Sequence, residues 1–196
     1  MFCGTAVAAE KYEPLVIRDD NASSAHELLN KGGFPFAVLQ VTSPGVLTKD
    51  SASALVSYVK GGGTVWFYDS RLAPLFGMTN SPMNIKGLET KGMEAEFGSG
   101  KMTGAAVGAV AVKGASPVRG IRRAAVFVIL LGEDTYSAVG DSGVTPLLKV
   151  PGQKSLVGAV KKLGNGKAIF KPLLWEQQYD GAAFQRKLIR YSRKEG

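Results

Sequence analysis

Residues 48–71, TKDSASALVSYVKGGGTVWFYDSR, constrain the fold of this chain more than any other stretch. Thr48 is a favourable helix N-cap, three glycines end the helix, and residues 64–68 are β-branched or aromatic at every position. One helical face, with the i, i+3, i+4, i+7 spacing, consists of Ala52, Leu55, Val56 and Val59. The stretch therefore predicts a helix, a glycine stop and a buried central strand. The predicted core residues are Leu55, Val56, Val59, Val65 and Phe67.

Two strands and a helix precede this unit. Residues 14–17 form a short apolar run, and residues 36–41 form a second one. Between them, Ser24 and Glu27 have the spacing of a capping box, and the helix that they begin is expected to end at the glycine pair 32–33. The order strand, helix, strand, helix, strand is typical of parallel strands joined by right-handed crossovers.

The second half of the chain predicts a different arrangement. Residues 70–117 are rich in Gly, Met, Asn and Pro, and they predict an inserted excursion of loops and short antiparallel strands. An antiparallel hairpin around Gly164 and Gly166 follows, and then a final helix that Asp180 caps. The predicted elements are a helical turn at 72–76, strands at 93–97, 105–112, 124–131 and 144–150, and hairpin strands at 155–162 and 167–173.

The N-terminal residues predict export. Ala6, Val7 and Ala8, followed by Ala9, resemble the small-residue cleavage site of a secretory signal, so residues 1–9 are interpreted as a signal-peptide remnant. We expect residues 10–196 to form a single domain that is periplasmic or exported, with a cytoplasmic location as the alternative. No window approaches the roughly 18 consecutive apolar residues of a membrane span, so no transmembrane segment is predicted.

The formal net charge of +8 raises the question of a nucleic-acid partner. The basic residues occur in short clusters without a zinc-finger, RNP or helix-turn-helix signature, so a solvated face is the preferred interpretation. Anion or nucleic-acid binding through the basic last helix is kept as an alternative. The basic residues of that helix are Arg186, Lys187, Arg190, Arg193 and Lys194.

Three phrases of the sequence resemble the class I glutamine amidotransferase-like superfamily, in particular its branch similar to trehalose-utilisation proteins. They are LVSYVKGGGTVWFYD at 55–69, SPVRGI at 116–121 and GNGKAIFKPLLW at 164–175. The resemblance implies an α/β fold, namely a three-layer flavodoxin-like sandwich with a mostly parallel central sheet. The antiparallel C-terminal hairpin and the inserted loop and strand excursion are additions to that sheet.

The catalytic residues of that superfamily have no counterpart in this chain. Its catalytic members carry a Gly-x-Cys-x-Gly nucleophile elbow with a downstream His and Glu, whereas this chain has one cysteine, Cys3, and one histidine, His26. Ser116 also stands where the family's turn usually has His. The resemblance therefore implies the scaffold without glutaminase chemistry, and no catalytic residue is predicted.

Cofactor motifs are incomplete as well. A zinc site built from His and Cys is excluded by the number of these residues. The GNGK phrase at 164–167 lacks the earlier glycine and the following Ser or Thr of a P-loop, and Gly98 and Gly100 lack the third glycine of a dinucleotide fingerprint. No cofactor is therefore predicted.

Polar residues follow each of the first three predicted strands. Because ligands of open parallel α/β sheets bind beyond the carboxyl ends of the strands, we expect these residues to converge on a ligand-binding crevice. The three aspartates among them also suit Mg²⁺ or Ca²⁺, but loop carboxylates commonly act as caps and turn formers, so no metal is predicted. The predicted site residues are Asp19, Asp20, Ser43, Asp69 and Ser70.

The leading hypothesis is a non-catalytic domain of amidotransferase-like fold in the cell envelope, which binds a small polar ligand or a protein partner. The alternative from the enzyme class is a carboxylate-dependent hydrolase that acts on a saccharide. If the chain is such a hydrolase, an exposed Trp175 beside Glu176 suits sugar binding. The alternative is that the Trp175 indole packs against the last helix.

We expect no glutaminase activity, because the elbow cysteine is missing and His26 lies in a predicted helix rather than at a strand end. The purified chain, incubated with glutamine, should release ammonia no faster than a buffer blank. Ammonia release that disappears in Cys3→Ser or His26→Ala would contradict this expectation.

Overall fold

The structure, a computed structural model, describes residues 13–81, 83, 91–97, 100–113, 126–131, 138–171, 173–174 and 179–193. Three features predicted above lie outside these residues. They are the signal remnant at 1–9, the turn at 116–121, and the pair Trp175 and Glu176.

The first half of the described chain alternates strands and helices as predicted. In chain order these are β1 (Leu15–Arg18), α1 (Ala25–Lys31), β2 (Ala37–Gln40), α2 (Lys49–Lys60) and β3 (Thr64–Phe67). The strands pair in parallel in the order β1, β2, β3. Because this order does not reverse, right-handed crossovers place α1 and α2 on one face of the sheet, where they pack together. Flavodoxin itself has the order 2-1-3, so the sequential order is a difference from that fold.

Both ends of α2 are formed as the sequence predicts. The Ser51 N–H donates to Thr48 Oγ1 at 3.1 Å, which is the N-cap hydrogen bond. At the other end Gly62 has a φ of 115°, a conformation that glycine adopts without strain. The helix therefore stops inside the glycine run, and the chain turns into β3.

Most of the predicted core residues are buried. Leu55, Val59, Val65 and Phe67 are fully buried, whereas Val56 is only half-buried. The buried face of α2 includes Ser51, so it is rotated away from Val56. Burial of the Ser51 hydroxyl is tolerated because it donates a hydrogen bond to the carbonyl oxygen of Ser23 at 2.9 Å.

Two predicted helix caps are wrong. A 3₁₀ helix at Ala22–Ser24 precedes α1, and the Ser24 side chain makes no capping hydrogen bond. Its φ of −100° and ψ of 12° differ from the extended conformation of an N-cap, so the capping box does not form. The last helix, α3 (Tyr179–Arg193), begins before Asp180, which lies in the first turn.

The rest of the described chain contributes most of the strands. They are β4 (Lys91–Phe97), β5 (Gly100–Ala111), β6 (Val126–Leu131), β7 (Thr145–Lys149), β8 (Leu156–Leu163), β9 (Gly166–Phe170) and β10 (Leu173–Leu174). The predicted helical turn after β3 is a 3₁₀ helix at Ser70–Phe76. The predicted excursion strands and the C-terminal hairpin are thus present.

All these strands belong to one mixed sheet with the order β1-β2-β3-β9-β8-β7-β5-β6-β10, and β4 pairs with β5. The pairings among β1, β2, β3 and β9 are parallel. Every other pairing is antiparallel. The described chain is therefore an α/β protein whose sheet has a parallel part and an antiparallel part.

The antiparallel part of the sheet curls back on itself. Strands β9 and β10 are separated in the sheet by β8, β7, β5 and β6, yet only residues 171 and 172 connect them along the chain. An extended residue spans at most about 3.6 Å, so the end of β9 and the start of β10 lie within about 11 Å of each other. A flat sheet of this strand order would place them much further apart.

Strand β3 is buried on both faces, as predicted for a central strand. Val65 and Phe67 belong to the core that also contains the buried residues of α1 and α2, and Trp66 belongs to the core on the α3 side. The Phe67 ring stacks on Phe76, with centroids 5.1 Å apart. The Trp66 ring stacks on Phe36 at 4.6 Å. Helices therefore cover both faces of the parallel part of the sheet.

Helix α3 is held to the sheet by polar contacts as well as by apolar burial. The Trp66 indole N–H donates to Ser192 Oγ at 2.7 Å. Lys167 Nζ donates to the Tyr191 carbonyl oxygen at 3.1 Å, in the last turn, where the negative end of the helix dipole favours a cation. The lysine of the GNGK phrase therefore anchors a helix. Among the α3 residues whose burial the structure describes, 183–193, the buried apolar ones are Phe184 and Leu188.

The glycine stop after α2 packs directly against the glycine turn between β8 and β9. The Asn165 N–H donates to the Lys60 carbonyl oxygen, and the Lys167 N–H donates to the Gly63 carbonyl oxygen, each at 3.0 Å. A Cβ at Gly166 would lie 2.0 Å from the Val59 carbonyl oxygen and 2.2 Å from that of Gly63. The two turns approach this closely only because a side chain is absent.

Gly166→Ala is expected to lower the free energy of unfolding by roughly 3 kcal/mol, because the new methyl group overlaps fixed backbone atoms. Gly108→Ala is the matched control, since Gly108 also lies in a strand but has open space at its Cβ position. The control should be neutral or stabilising by up to about 1 kcal/mol. Urea unfolding followed by circular dichroism measures both, and equal effects would show that the close contact is not formed.

Candidate functional site

The carboxyl ends of β1, β2 and β3 lie along one edge of the sheet, because these strands are parallel neighbours. We call the residues directly beyond these ends, at 18–21, 41–43 and 68–71, the carboxyl edge. All five predicted site residues belong to it.

Asp19 joins the end of β1 to the end of β2. Its Oδ1 accepts a hydrogen bond from the Thr42 N–H at 2.8 Å, and its Oδ2 accepts one from Thr42 Oγ1, also at 2.8 Å. Both carboxylate oxygens thus bind one residue, 23 positions further along the chain. The role of Asp19 in the structure is to fix the spacing of two strand ends.

Asp69 forms an ion pair with Arg71 directly after β3. The Arg71 N–H donates to Asp69 Oδ1 at 2.8 Å, and Arg71 Nε donates to Oδ1 at 3.0 Å and to Oδ2 at 2.9 Å. Arg71 Nη2 also donates to Oδ2. These hydrogen bonds raise the pKa of the Arg71 guanidinium above its ordinary value. Asp69 is buried, and Arg71 is the cation that lies against its carboxylate.

Thr42 connects the two carboxylates. It donates its N–H and hydroxyl to Asp19, and its carbonyl oxygen accepts a hydrogen bond from Arg71 Nη2 at 2.9 Å. Asp19, Thr42, Arg71 and Asp69 therefore form one chain of hydrogen bonds across three strand ends. We call these four residues the edge network.

The other three predicted site residues do not belong to the edge network. Asp20 is exposed. Ser43 caps the 3₁₀ helix at Pro44–Val46, where its Oγ accepts a hydrogen bond from the Gly45 N–H at 3.2 Å. Ser70 is buried, and its hydroxyl donates to Asn80 Oδ1 at 2.7 Å. Ser43 and Ser70 thus have local structural partners.

Thr42 and Arg71 also follow predicted strands, but they were not among the predicted site residues. Their positions in the sequence could have indicated a place in the site, since each residue follows a buried strand and can donate hydrogen bonds. Nothing in the local sequence indicates that Arg71 turns back towards Asp69, because arginine side chains after a strand usually extend into water.

Lys171 was also missed, and it lies at the end of β9 on the α3 side of the sheet. It is buried at 4% exposure, and its amino group lies 5.2 Å from the centroid of the Trp66 ring and 5.3 Å from that of Tyr68. Lys171 Nζ also donates to Gln185 Oε1 of α3. The only indication of this buried lysine in the sequence was its position directly after an apolar strand.

The histidine and the acidic residues are not grouped as metal ligands in the part of the chain that the structure describes. His26 lies in α1, with Nε2 3.8 Å from Glu27 Oε1. No group of three or more His, Cys, Asp or Glu side chains is placed as metal ligands would be, among the residues described. The edge network instead presents the outer part of the Arg71 guanidinium, whose side chain is 53% exposed.

Arg71→Ala is expected to lower the free energy of unfolding by about 1–3 kcal/mol, because it leaves the buried Asp69 carboxylate without its side-chain donors. Arg18→Ala is the matched control: Arg18 is exposed and makes one side-chain hydrogen bond, to Gln40 at 3.4 Å. The control should change stability by no more than about 0.5 kcal/mol. Equal losses in urea unfolding would show that the ion pair does not stabilise the edge.

No helix within the described ranges is long and apolar enough to cross a membrane.

No protein-family model and no curated protein sequence matches this chain. Solved structures do. PurLQS from Thermotoga maritima is similar with a TM-score of 0.50 and 12% identity, over 92% of this chain and 98% of that one. A cold-adapted β-galactosidase from Rahnella sp. R3 is also similar, with a TM-score of 0.50 and 12% identity. The similarity covers 83% of this chain but only 23% of the β-galactosidase. These similarities show an α/β fold and carry no information on activity.

Proposed function

We propose that this chain is a non-catalytic, amidotransferase-like domain that binds a small polar ligand at the carboxyl edge of its parallel strands. The observation that carries the proposal is the edge network. Its two carboxylates are engaged in hydrogen bonds within the protein, while the guanidinium of Arg71 is held in place with more than half of its side chain exposed.

The engaged carboxylates argue against acid and base catalysis at this edge. A general acid or base must exchange a proton with the substrate, so one of its oxygens has to face the reacting group. Asp19 uses both oxygens for Thr42, and Asp69 uses both for Arg71. Proton transfer by either residue would break contacts that hold the strand ends together.

The exposed guanidinium indicates the class of ligand. Asp69 and Thr42 take the Nε and Nη2 donors of Arg71, so its Nη1 group is left to donate to a ligand, and oxygen acceptors such as carboxylates suit it best. Because Asp69 orients the guanidinium, little side-chain freedom is lost when a ligand binds. We therefore propose a small ligand that presents a carboxylate or closely spaced hydroxyl groups. A protein partner that presents an acidic side chain is the alternative occupant.

Support for the scaffold has two sources. The sequence phrases at 55–69 and 164–175 resemble the amidotransferase-like superfamily, and the first of them folds as the helix, glycine stop and strand of that resemblance. The similarity to PurLQS over nearly the whole of both chains agrees with an α/β domain. Neither source bears on the ligand.

The proposal predicts that ligand binding depends on Arg71. A thermal-shift screen of hydroxycarboxylic acids, sugar acids and neutral sugars identifies a compound, which is then titrated calorimetrically. Arg71→Lys keeps the charge but loses the planar guanidinium that binds Asp69 and the ligand at the same time, so we expect at least about a tenfold weaker affinity, the equivalent of 1.4 kcal/mol. Arg186→Lys, the same change at an exposed position of α3, is the control and should leave the affinity unchanged.

Two outcomes would contradict the proposal. Undiminished affinity in both Arg71→Lys and Asp19→Ala, with the fold intact by circular dichroism, would place the site away from the edge network. Hydrolysis of a chromogenic glycoside by the unmodified chain, abolished in Asp69→Asn, would favour a saccharide hydrolase.

A further inference from the structure

Strand β1 forms one end of the sheet, and no described strand pairs with its outer side. The Leu15 N–H donates to the Phe36 carbonyl oxygen at 3.0 Å, so the backbone groups of Leu15 face β2. Because successive residues of a strand alternate in direction, the backbone groups of Val16 and Arg18 face away from β2. These outward groups form the part of the sheet where another strand would add.

The side chain of Asn21 occupies two of these four outward groups. The Arg18 N–H donates to Asn21 Oδ1 at 2.7 Å, and Asn21 Nδ2 donates to the Val16 carbonyl oxygen at 3.2 Å. A residue of an added parallel strand would make the same two bonds, to the carbonyl of one residue and the N–H of the residue two positions later. The carboxamide of Asn21 therefore replaces one residue of a neighbouring strand.

A backbone hydrogen bond occupies a third outward group, so the Val16 N–H is the one that Asn21 does not engage. The Asn21 N–H donates to the Arg18 carbonyl oxygen at 3.1 Å, which removes the last outward acceptor of the strand. Pro14, directly before β1, has no N–H to offer. Asn21 thus engages both outward groups of Arg18 and the outward carbonyl of Val16.

We propose that Asn21 closes the β1 edge against strand addition by a second copy of this chain. A second copy is the relevant occupant because it carries the same apolar strand, Leu15–Arg18, and two identical edges pair antiparallel around a two-fold axis through the outward groups that Asn21 engages. Leu15 and Val16 are half-buried, so their remaining apolar surface would be covered in such a pair. The inference does not depend on the proposed ligand site.

Asn21→Ala tests this proposal directly. Asn21 has a φ of −122° and a ψ of 3°, which alanine also adopts, so the variant changes the carboxamide and not the backbone conformation. Asn30→Ala, at an exposed position of α1, is the matched control. In sedimentation equilibrium over a range of concentrations, the average mass of Asn21→Ala should rise above that of the unmodified chain, and that of the control should not.

A second measurement follows the edge itself. In dilute samples, amide hydrogen exchange at Arg18 should be about fivefold faster in Asn21→Ala, as expected for the loss of one hydrogen bond, while the amide of Leu15 is unchanged. The association should disappear in the double variant with Val16→Pro, since proline blocks the outer side without removing a bond to β2.

Two results would overturn the proposal. One is an Asn21→Ala variant that keeps the mass of the unmodified chain at every concentration although Arg18 exchanges faster. The other is association that persists in the double variant, because the copies would then meet at a different surface.

Discussion

The architecture depends on the backbone contact between the glycine stop at 61–63 and the glycine turn at 164–166. Two hydrogen bonds, from Asn165 to Lys60 and from Lys167 to Gly63, join segments that are about a hundred residues apart in the chain. They set the start of β9 beside the start of β3 in parallel register, with Thr64 opposite Lys167. The strand, helix, strand, helix, strand unit and the C-terminal hairpin become one sheet at this contact.

The polar contacts of the sheet follow from this central pairing. Because β9 lies next to β3, Lys167 and Lys171 reach α3, and the Trp66 indole finds Ser192 on the same helix. The opposite face carries α1 and α2, and the edge network lies at the carboxyl ends of β1, β2 and β3. A buried charge such as that of Asp69 is stable only with a partner, so the network must be largely preformed.

The sequence predicted the local elements well where short-range physical chemistry decides them. The helix over Lys49–Lys60 depends on an N-cap and an apolar face within one segment, and the hairpin depends on a glycine turn between two apolar runs. Prediction failed at Ser24, where a competing 3₁₀ turn takes the N-cap position, and at Asp180, which lies inside the helix. Helix ends are sensitive to such competition because single hydrogen bonds decide them.

The sequence by itself determined the alternation of strands and helices, the central place of β3, and the convergence of polar residues on one edge of the sheet. Each of these follows from residue spacing and from the rule that parallel strands share a carboxyl edge. Only the tertiary structure decided what the polar residues do there. Asp19 and Arg71 find Thr42 across 23 and 29 residues of sequence, and no local pattern specifies such a pairing, because it depends on how closely packed strands place their ends. For the same reason the roles of Asn21 at the outer edge and of the buried Lys171 were visible only in the folded chain.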